Sequence, residues 1–360
     1  MRQRKIRGDA AAPARWLLTV PRRAVARPSE ARRFRRRIRP ARLKRILRAT
    51  GAALLLCAAA RAARADFDAP TVSAQSAAMG GASLAGLGGD SASLFLNPAA
   101  GAGLAVPEAY FMYNQLFTGL SGVGSLGQSL LSFAAPTPIG TVGVGYSDFQ
   151  ASSLLDQRMI GVTYARRWFD GFDAGITAKY LYQKYQIGSD PLAAIDPVFR
   201  NGTSRTAFAL DAGGIYALSD VLHLGLALRN VNSPDIGLAT PDRVPRQIQA
   251  GARYDFPDMA LHLTADYTYS RESAGSLAQT STPSLGLEKG FEKDMVRFRV
   301  GVTPNQFSGG IGLQLGPLGF DYTFLLNRTV LSNNAGTQMV GLRYRFGDAP
   351  APPNYRERGP

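Results

Sequence analysis

His223 and His262 are the only two histidines of the 360-residue chain, and Cys57 is its only cysteine. A histidine pair can hold a metal ion or share a proton with a serine and an aspartate, but no spacing motif for either chemistry surrounds these two. Both lie on polar faces of alternating stretches, where they read as lumen-facing polar side chains. Gly-rich runs such as Gly140 to Gly145 sit within alternating stretches and no helix follows them, so they are not phosphate loops. The sequence shows no catalytic set, no metal set and no cofactor motif, and the chain is expected not to be an enzyme.

The charges that remain are spread over many stretches: Lys179, Arg205, Asp211, Arg253, Asp255, Asp266, Arg297, Arg299, Asp321, Arg343 and Arg345. Their mixed signs suit cross-strand ion pairs that brace an interior. The sharper alternative is a weakly cationic path or a docking spot for an anionic headgroup. Either use requires elements that turn all of these side chains to one side.

Those elements are strands. From Leu261 to Tyr269, Leu261, Leu263, Ala265, Tyr267 and Tyr269 share one face, while His262, Thr264, Asp266 and Thr268 share the other, and a period of two is the period of a strand. Similar stretches lie near 109–117, 127–135, 140–149, 158–168, 172–186, 205–217 and 221–230, then 245–256, 259–270, 282–291, 295–303, 306–315, 317–326 and 338–346. They number fourteen, and single-chain bacterial barrels have an even strand number. Most approach the ~9–11 residues that a membrane-spanning strand needs, against a soluble mean of ~5–6. Tyrosine, phenylalanine and tryptophan gather near their ends, at Tyr110 and Phe117, Tyr164 and Trp168, Tyr180 and Tyr182, Tyr267 and Tyr269, and Tyr344 and Phe346. Such ends suit interfacial girdles. The expected fold is all-β: a transmembrane, antiparallel, up-and-down barrel of about 14 strands.

The basic balance belongs elsewhere. Residues 1–65 hold 20 of the 41 Lys and Arg and only two acids, Asp9 and Glu30, so the formal +15 is a property of the leader. Nucleic-acid binding is therefore not expected. Basic residues to Arg48, an apolar run from Gly51 to Ala60 and Ala63-Arg64-Ala65 have the order of a secretory signal, cleaved after about Ala65. The apolar run is half the ~20 residues of a spanning helix. Residues 1–40 exceed an ordinary signal start, so either translation begins downstream or the segment is an extension. Cys57 follows Leu56, which is not the small residue that lipidation wants, and reads as part of the apolar run. The expected organisation is a leader and signal at 1–65, an N-terminal plug at 66–106, a barrel at 107–347 and a Pro-rich polar tail at 348–360.

Ahead of the first strand stand Met79-Gly80-Gly81-Ala82, then Asp90-Ser91-Ala92 and Asn97-Pro98-Ala99. Gly80 and Gly81 permit positive φ, Pro98 restricts Asn97 to extended backbone, and the Asn97 side chain can bond its own backbone. This segment resembles the N-terminal signature of the FadL-type outer-membrane barrels, most closely their PorV/PorQ branch, and the fourteen stretches extend the resemblance over the rest of the chain. The resemblance implies an N-terminal segment folded into the lumen, with Met79, Gly80, Gly81, Asp90, Asn97, Pro98 and Ala99 as plug or gate. Without it, Asn97-Pro98 reads as a turn into the first strand. The resemblance also implies export by a Sec-type route, insertion by the barrel-assembly machinery and residence in the outer membrane of a diderm bacterium. Its partners would be outer-membrane lipid and either small hydrophobic or amphipathic molecules or secreted proteins. The first reading of function is passive transport gated by the N-terminal segment. The alternatives are a secretion or surface-attachment partner acting through the loops at 188–204 and 232–245, and a structural barrel with a filled lumen.

Overall fold

Each of the fourteen alternating stretches forms one strand: β1 (Glu108–Leu116), β2 (Leu126–Thr137), β3 (Gly140–Ala151), β4 (Leu155–Phe169), β5 (Phe172–Tyr185), β6 (Ser204–Ser219), β7 (Leu222–Arg229), β8 (Arg246–Phe256), β9 (Leu261–Arg271), β10 (Gln279–Phe291), β11 (Val296–Thr303), β12 (Gln306–Leu315), β13 (Leu318–Asn327) and β14 (Thr337–Arg345). The computed structural model describes residues 72–86, 91–118, 126–152, 154–188, 195–271, 279–327 and 336–347. The basic leader, Cys57, the cleavage site, Asp90 and the tail after 347 lie outside the described residues.

Every strand pairs antiparallel with its neighbours in sequence, and β1 pairs with β14 from Glu108↔Arg345 to Gln115↔Gln338, which closes the ring. Closure leaves no free sheet edge along the wall and satisfies backbone polar groups within the ladder. Where β10 runs past the end of β11, between Gln279 and Ser284, Pro283 occupies the stretch without a β11 partner, as suits a residue lacking an N–H.

The pleat sorts the residues inside out. On β3, Val142, Val144 and Tyr146 face outward, whereas Thr141, Gly143, Gly145 and Ser147 face inward. On β11 and β13, Phe298, Val300, Phe320, Tyr322 and Phe324 are exposed, while Arg299, Asp321 and Thr323 are buried. A closed wall with an apolar exterior and a polar interior is built to stand in lipid. Inward hydroxyls bond across strands, as Thr163 and Thr177 do at 2.7 Å between β4 and β5.

The two rims differ. The β2–β3, β4–β5, β6–β7, β8–β9, β10–β11 and β12–β13 connections have two to four residues and share the rim where β1 begins and β14 ends. The opposite rim carries the long connections, the longest being 186–203 between β5 and β6. One of them, 230–245 between β7 and β8, folds back on the barrel: Ile236 and Val244 are buried, and Arg205 donates to the Gly237 and Leu238 carbonyls at 2.9 and 3.0 Å. β6 extends eight residues, Ser204 to Asp211, past its last β7 pair at Ala212↔Leu228. This loop takes the place of a partner strand there, with Asn232 bonding Leu210 N–H and the Phe208 carbonyl.

The aromatic ends need one correction. Trp168, Phe169, Tyr267, Tyr344 and Phe346 face outward as girdle residues should, but Tyr110 is 1 % exposed and points into the lumen. Both faces of β1 are apolar at this level, since Tyr110 and Met112 go in while Phe111 and Tyr113 go out.

Candidate functional site

A ring of fourteen strands encloses more space than its own side chains fill. The N-terminal segment fills it. A one-turn helix, α1 (Ala74–Ala78), and two 3₁₀ turns, η1 (Ser91–Phe95) and η2 (Pro98–Gly103), lie inside the barrel, α1 against β11–β14 and η1 and η2 against β1–β6. Met79, Leu94, Phe95, Asn97 and Ala99 are all at most 2 % exposed.

Room for this plug comes from glycines on the inner wall. A Cβ on Gly145 or Gly161 would stand 2.4 Å from the Phe95 ring, and one on Gly143 would stand 2.4 Å from Leu94 Cδ1. At Gly175 and Gly225 the obstacle is backbone: the Pro98 carbonyl at 2.6 Å and the Leu84 carbonyl oxygen at 2.5 Å. Gly286 and Gly301 likewise face Met79, with Met79 O at 2.7 Å and Met79 C at 2.2 Å. A glycine inside a strand signals close approach of another backbone, and here the approaching backbone is the chain's own N-terminal segment.

Wall side chains then latch the plug. Tyr110 Oη accepts the Ala74 N–H at 2.9 Å, Thr323 donates to the Ala74 carbonyl at 2.7 Å, and Ser308 donates to the Ala78 carbonyl at 3.0 Å. Asp266 Oδ2 accepts the N–H groups of both Ser83 and Leu84 at 2.8 Å, Arg253 donates to the Gly86 carbonyl, and Glu108 Oε1 accepts the Ser91 N–H at 2.7 Å. These contacts satisfy backbone groups that would otherwise be buried unpaired.

Within the plug, Gly80 (φ +69°) and Gly81 (φ +83°) take the left-handed backbone their sequence anticipates and turn the chain away from α1. Asn97 sits extended at φ −135° ahead of Pro98. Its Oδ1 accepts from Ala99 N–H at 3.1 Å, while its Nδ2 donates to the Leu84 carbonyl at 2.8 Å and the Gly214 carbonyl at 3.3 Å. One side chain thus joins the two halves of the plug and ties them to β6. The turn reading of Asn97-Pro98 and the luminal reading therefore describe the same residues.

The inward charges collect into three groups. Along β10, β11, β13, β14 and β1, Glu288, Arg299, Asp321, Arg343, Glu108 and Arg345 form an alternating relay, with Arg299 at 2.5 Å from both Glu288 and Asp321 and Arg345 at 3.1 Å from Glu108. Gln75 of α1 joins it, donating to Glu288 at 3.4 Å and accepting from Arg343 at 3.1 Å. Buried ions need partners on both sides to offset their lost hydration, and the alternation supplies them. Arg297 lies beside this relay, in a pocket it shares with Asp294, Arg299, Gln314, Asp321 and Arg343.

In the second group, Asp255 receives Arg253 Nε at 2.7 Å and His262 Nδ1 at 2.5 Å, with His223 Nδ1 at 3.8 Å, so the two histidines share one carboxylate. In the third, nearer the long-loop rim, Lys179 Nζ lies 2.7 Å from both Asp211 and the Asn230 side-chain oxygen. Between plug and loops an apolar cluster of Met112, Leu130, Met159, Leu181 and Met339, which Ile236 and Val244 of the β7–β8 loop join, lies among buried inward polar side chains that include Asn114, Gln128, Gln157 and Gln183.

Lys179, Asp211, Asp266, Arg299 and Arg343 are thus buried on the inner face, and Arg253, Arg297 and Arg345 stand partly buried on the same side. Arg205 is the exception. It has the inward parity of Asp211, but β6 has run past the wall at that level, and Arg205 is exposed and clasps the β7–β8 loop. Glu108, Gln75, Asn230 and Arg229 take part in the interior although the sequence reading does not single them out, and Tyr110 does so although that reading places it in the girdle.

No family model and no curated protein matches the sequence. Solved structures do match it in shape. The CymD monoaromatic hydrocarbon channel superposes with a TM-score of 0.57 at 15% identity over 76% of this chain and 97% of that one. The Ralstonia pickettii toluene transporter TbuX gives 0.53 at 14% identity over 76% and 97% of the two chains. A Pseudomonas aeruginosa FadL homologue gives 0.52 at 15% identity over 79% and 100%. At such identities the likeness establishes a shared fold, that of the FadL-type 14-strand barrels.

Proposed function

We propose that this chain is an outer-membrane channel for small hydrophobic or amphipathic molecules, closed by its own N-terminal segment. The observation that carries the reading is the way the plug is held: wall glycines accommodate it and single side chains latch it, with no shared ladder. An element fixed by separate hydrogen bonds of about 0.5–1.5 kcal/mol each can shift in parts, whereas a paired strand cannot. The apolar cluster between plug and loops, set among the amide side chains of Asn114, Gln128, Gln157 and Gln183, would favour uncharged or amphipathic solutes. The solved structures of the same fold include ones described as hydrocarbon channels and a toluene transporter, which agrees with that solute class.

The closed ladder and filled lumen describe a shut state, and a barrel that never opens would look the same at rest. Single-channel conductance and uptake of a fluorescent hydrophobic probe, compared between the full chain and a chain lacking residues 66–100, separate the two. Large conductance on plug removal together with probe uptake by the full chain is expected. Closed traces from both forms with unchanged uptake would replace the channel with a structural barrel. The secretion-partner reading of the PorV/PorQ branch draws its support from the β7–β8 loop, which Arg205, Asn232 and Asp235 hold in one arrangement. Co-purification of an exported protein that depends on residues 232–245 would favour it.

A further inference from the structure

Arg229, the last residue of β7, is 3 % exposed, and its Nε and Nη1 have no hydrogen-bond partner among the described residues. Its surroundings explain why this is unusual. Lys179 on β5 is buried on the same inner face, and Asp211 stands on β6, the strand between β5 and β7, one residue beyond the last β6–β7 pair at Ala212↔Leu228. Asp211 is already engaged: Lys179 stands 2.7 Å from Oδ1, and the Asn230 N–H donates to the same oxygen at 2.8 Å. Two buried cations therefore share one carboxylate, and the guanidinium is left over. An unpaired ion in a low-dielectric interior is strongly unfavourable, which is why buried charges are paired almost without exception. The plane of an arginine side chain presents its N–H groups in a fork that fits the oxygens of a carboxylate or phosphate.

The segment that leaves β7 directly after Arg229 is the β7–β8 loop. Asn230 and Pro245 form its foot, joined by the hydrogen bond from Asn230 Nδ2 to the Pro245 carbonyl at 3.1 Å, and Ile236 and Val244 turn inward. The loop is held to β6 by the side chains of Arg205 and Asn232 and by one backbone bond, from the Val231 N–H to the Leu210 carbonyl at 2.9 Å. The clasps can release without breaking the β7–β8 ladder, which begins below them at Arg229↔Gln247. Around the loop, the exposed cations Arg205, Arg243, Arg246 and Arg271 outnumber the loop's own acids, Asp235 and Asp242, and an excess of positive charge raises the local concentration of anions.

We propose that Arg229 and Lys179 form a binding site for a compact oxyanion, closed over by the 230–245 loop, which lifts to admit it. This rests on the channel reading only in placing the site in the lumen. The same oxyanion chemistry could arrive as a free anion or as the headgroup of an amphiphile whose body would lie against Leu181, Ala209 and Ile236.

The test uses the full chain in a neutral maltoside detergent, with inorganic phosphate and octyl phosphate as probes, followed by calorimetry and by the rate of tryptic cleavage in the loop. Arg229→Gln, Arg229→Lys and, as a charge control on the outer surface, Arg158→Gln are compared with the parent. Saturable binding by the parent, weakened at least tenfold in Arg229→Gln, largely kept in Arg229→Lys and in Arg158→Gln, and accompanied by faster loop cleavage, is expected. Phosphate and octyl phosphate binding alike identifies a free oxyanion; octyl phosphate alone identifies a headgroup. Absence of saturable binding of either probe, or equal binding by parent and Arg229→Gln, overturns the site. Retained electrophoretic heat-modifiability shows that each variant has folded. Uptake of a neutral probe by the same preparations reports on the channel reading separately, since loss of anion binding leaves it unchanged.

Discussion

Asp266 accepts the backbone N–H of Ser83 at 2.8 Å, so a carboxylate in the middle of β9 holds a residue 183 positions earlier in the chain. The same oxygen takes the Leu84 N–H at 2.8 Å. Hydrogen bonds between a buried carboxyl group and backbone N–H groups contribute about 0.5–1.5 kcal/mol each. Asp266→Leu should therefore loosen the plug near Ser83 without opening the β8–β9–β10 ladder. Brief conductance bursts, absent from the parent, are the expected record in a planar bilayer. Silent traces would mean that Glu108, Tyr110 and Asn97 suffice without it.

The glycine belt predicts that a single methyl group can displace the plug. Gly225→Ala sets a Cβ against the Leu84 carbonyl, a backbone atom that a rotamer change cannot move aside. Overpacking of this sort costs about 1–3 kcal/mol. Faster proteolysis of residues 72–86 is expected in Gly225→Ala, whereas Gly103→Ala, with nothing within 4 Å of its new Cβ, should behave as the parent.

Asp321 joins two guanidiniums, Arg299 at 2.5 Å and Arg343 at 3.3 Å. Among the described residues, Asp321→Leu leaves Glu288 as the acidic partner of Arg299 and Glu108 as that of Arg343. Removing one member of a buried network destabilises by about 3–5 kcal/mol. The urea midpoint of unfolding, followed by the shift between heat-modifiable bands, should fall accordingly. A variant that unfolds with the parent would show that the relay contributes geometry and little stability.

The β7–β8 loop should open in acid. Backbone N–H groups of Gly237 and Asp242, each 2.9 Å from Asp235 Oδ1, hold the Asp235 carboxyl below the ordinary carboxylate range. A carboxyl whose folded-state value is depressed stabilises the fold fully above its unfolded value, about 4, and loses that contribution as pH falls through the depressed one. The protection of the Gly237 and Asp242 amides, taken relative to their intrinsic exchange at each pH, should fall below about pH 4. In Asp235→Asn that protection should be the same on both sides of that point, and a pH step that persists in the variant would move the effect to another group.

The period of two made most of this architecture readable in advance. Asp211, Asp266, Arg299 and Arg343 are inward because their neighbours Leu210, Tyr267, Val300 and Leu342 are apolar and turn to lipid. Where both faces of a strand are apolar the signal disappears, which is why Tyr110 reads as a girdle residue although it faces the plug. Parity also says nothing about height along the barrel. Arg205 has the parity of a lumen residue and stands on the rim, because β6 continues past its last pair with β7. The plug's seating was accessible in principle: Gly145, Gly161, Gly225 and Gly286 interrupt strands, and each marks a place where another segment presses close, the Phe95 ring at the first two and plug backbone at the others. Which segment passes there depends on tertiary contacts some tens to hundreds of residues away, and no local pattern encodes them.

The position of the plug ahead of β1 also ties the lumen filling to the seam of the barrel. Ala74 and Ser91 are bound by Tyr110 and Glu108, two residues of the very strand that meets β14 to complete the ring. Glu108 in turn holds Arg345 at the end of β14. The joint that closes the cylinder and the anchorage of its filling therefore draw on the same side chains, so a change at that joint acts on wall and filling together.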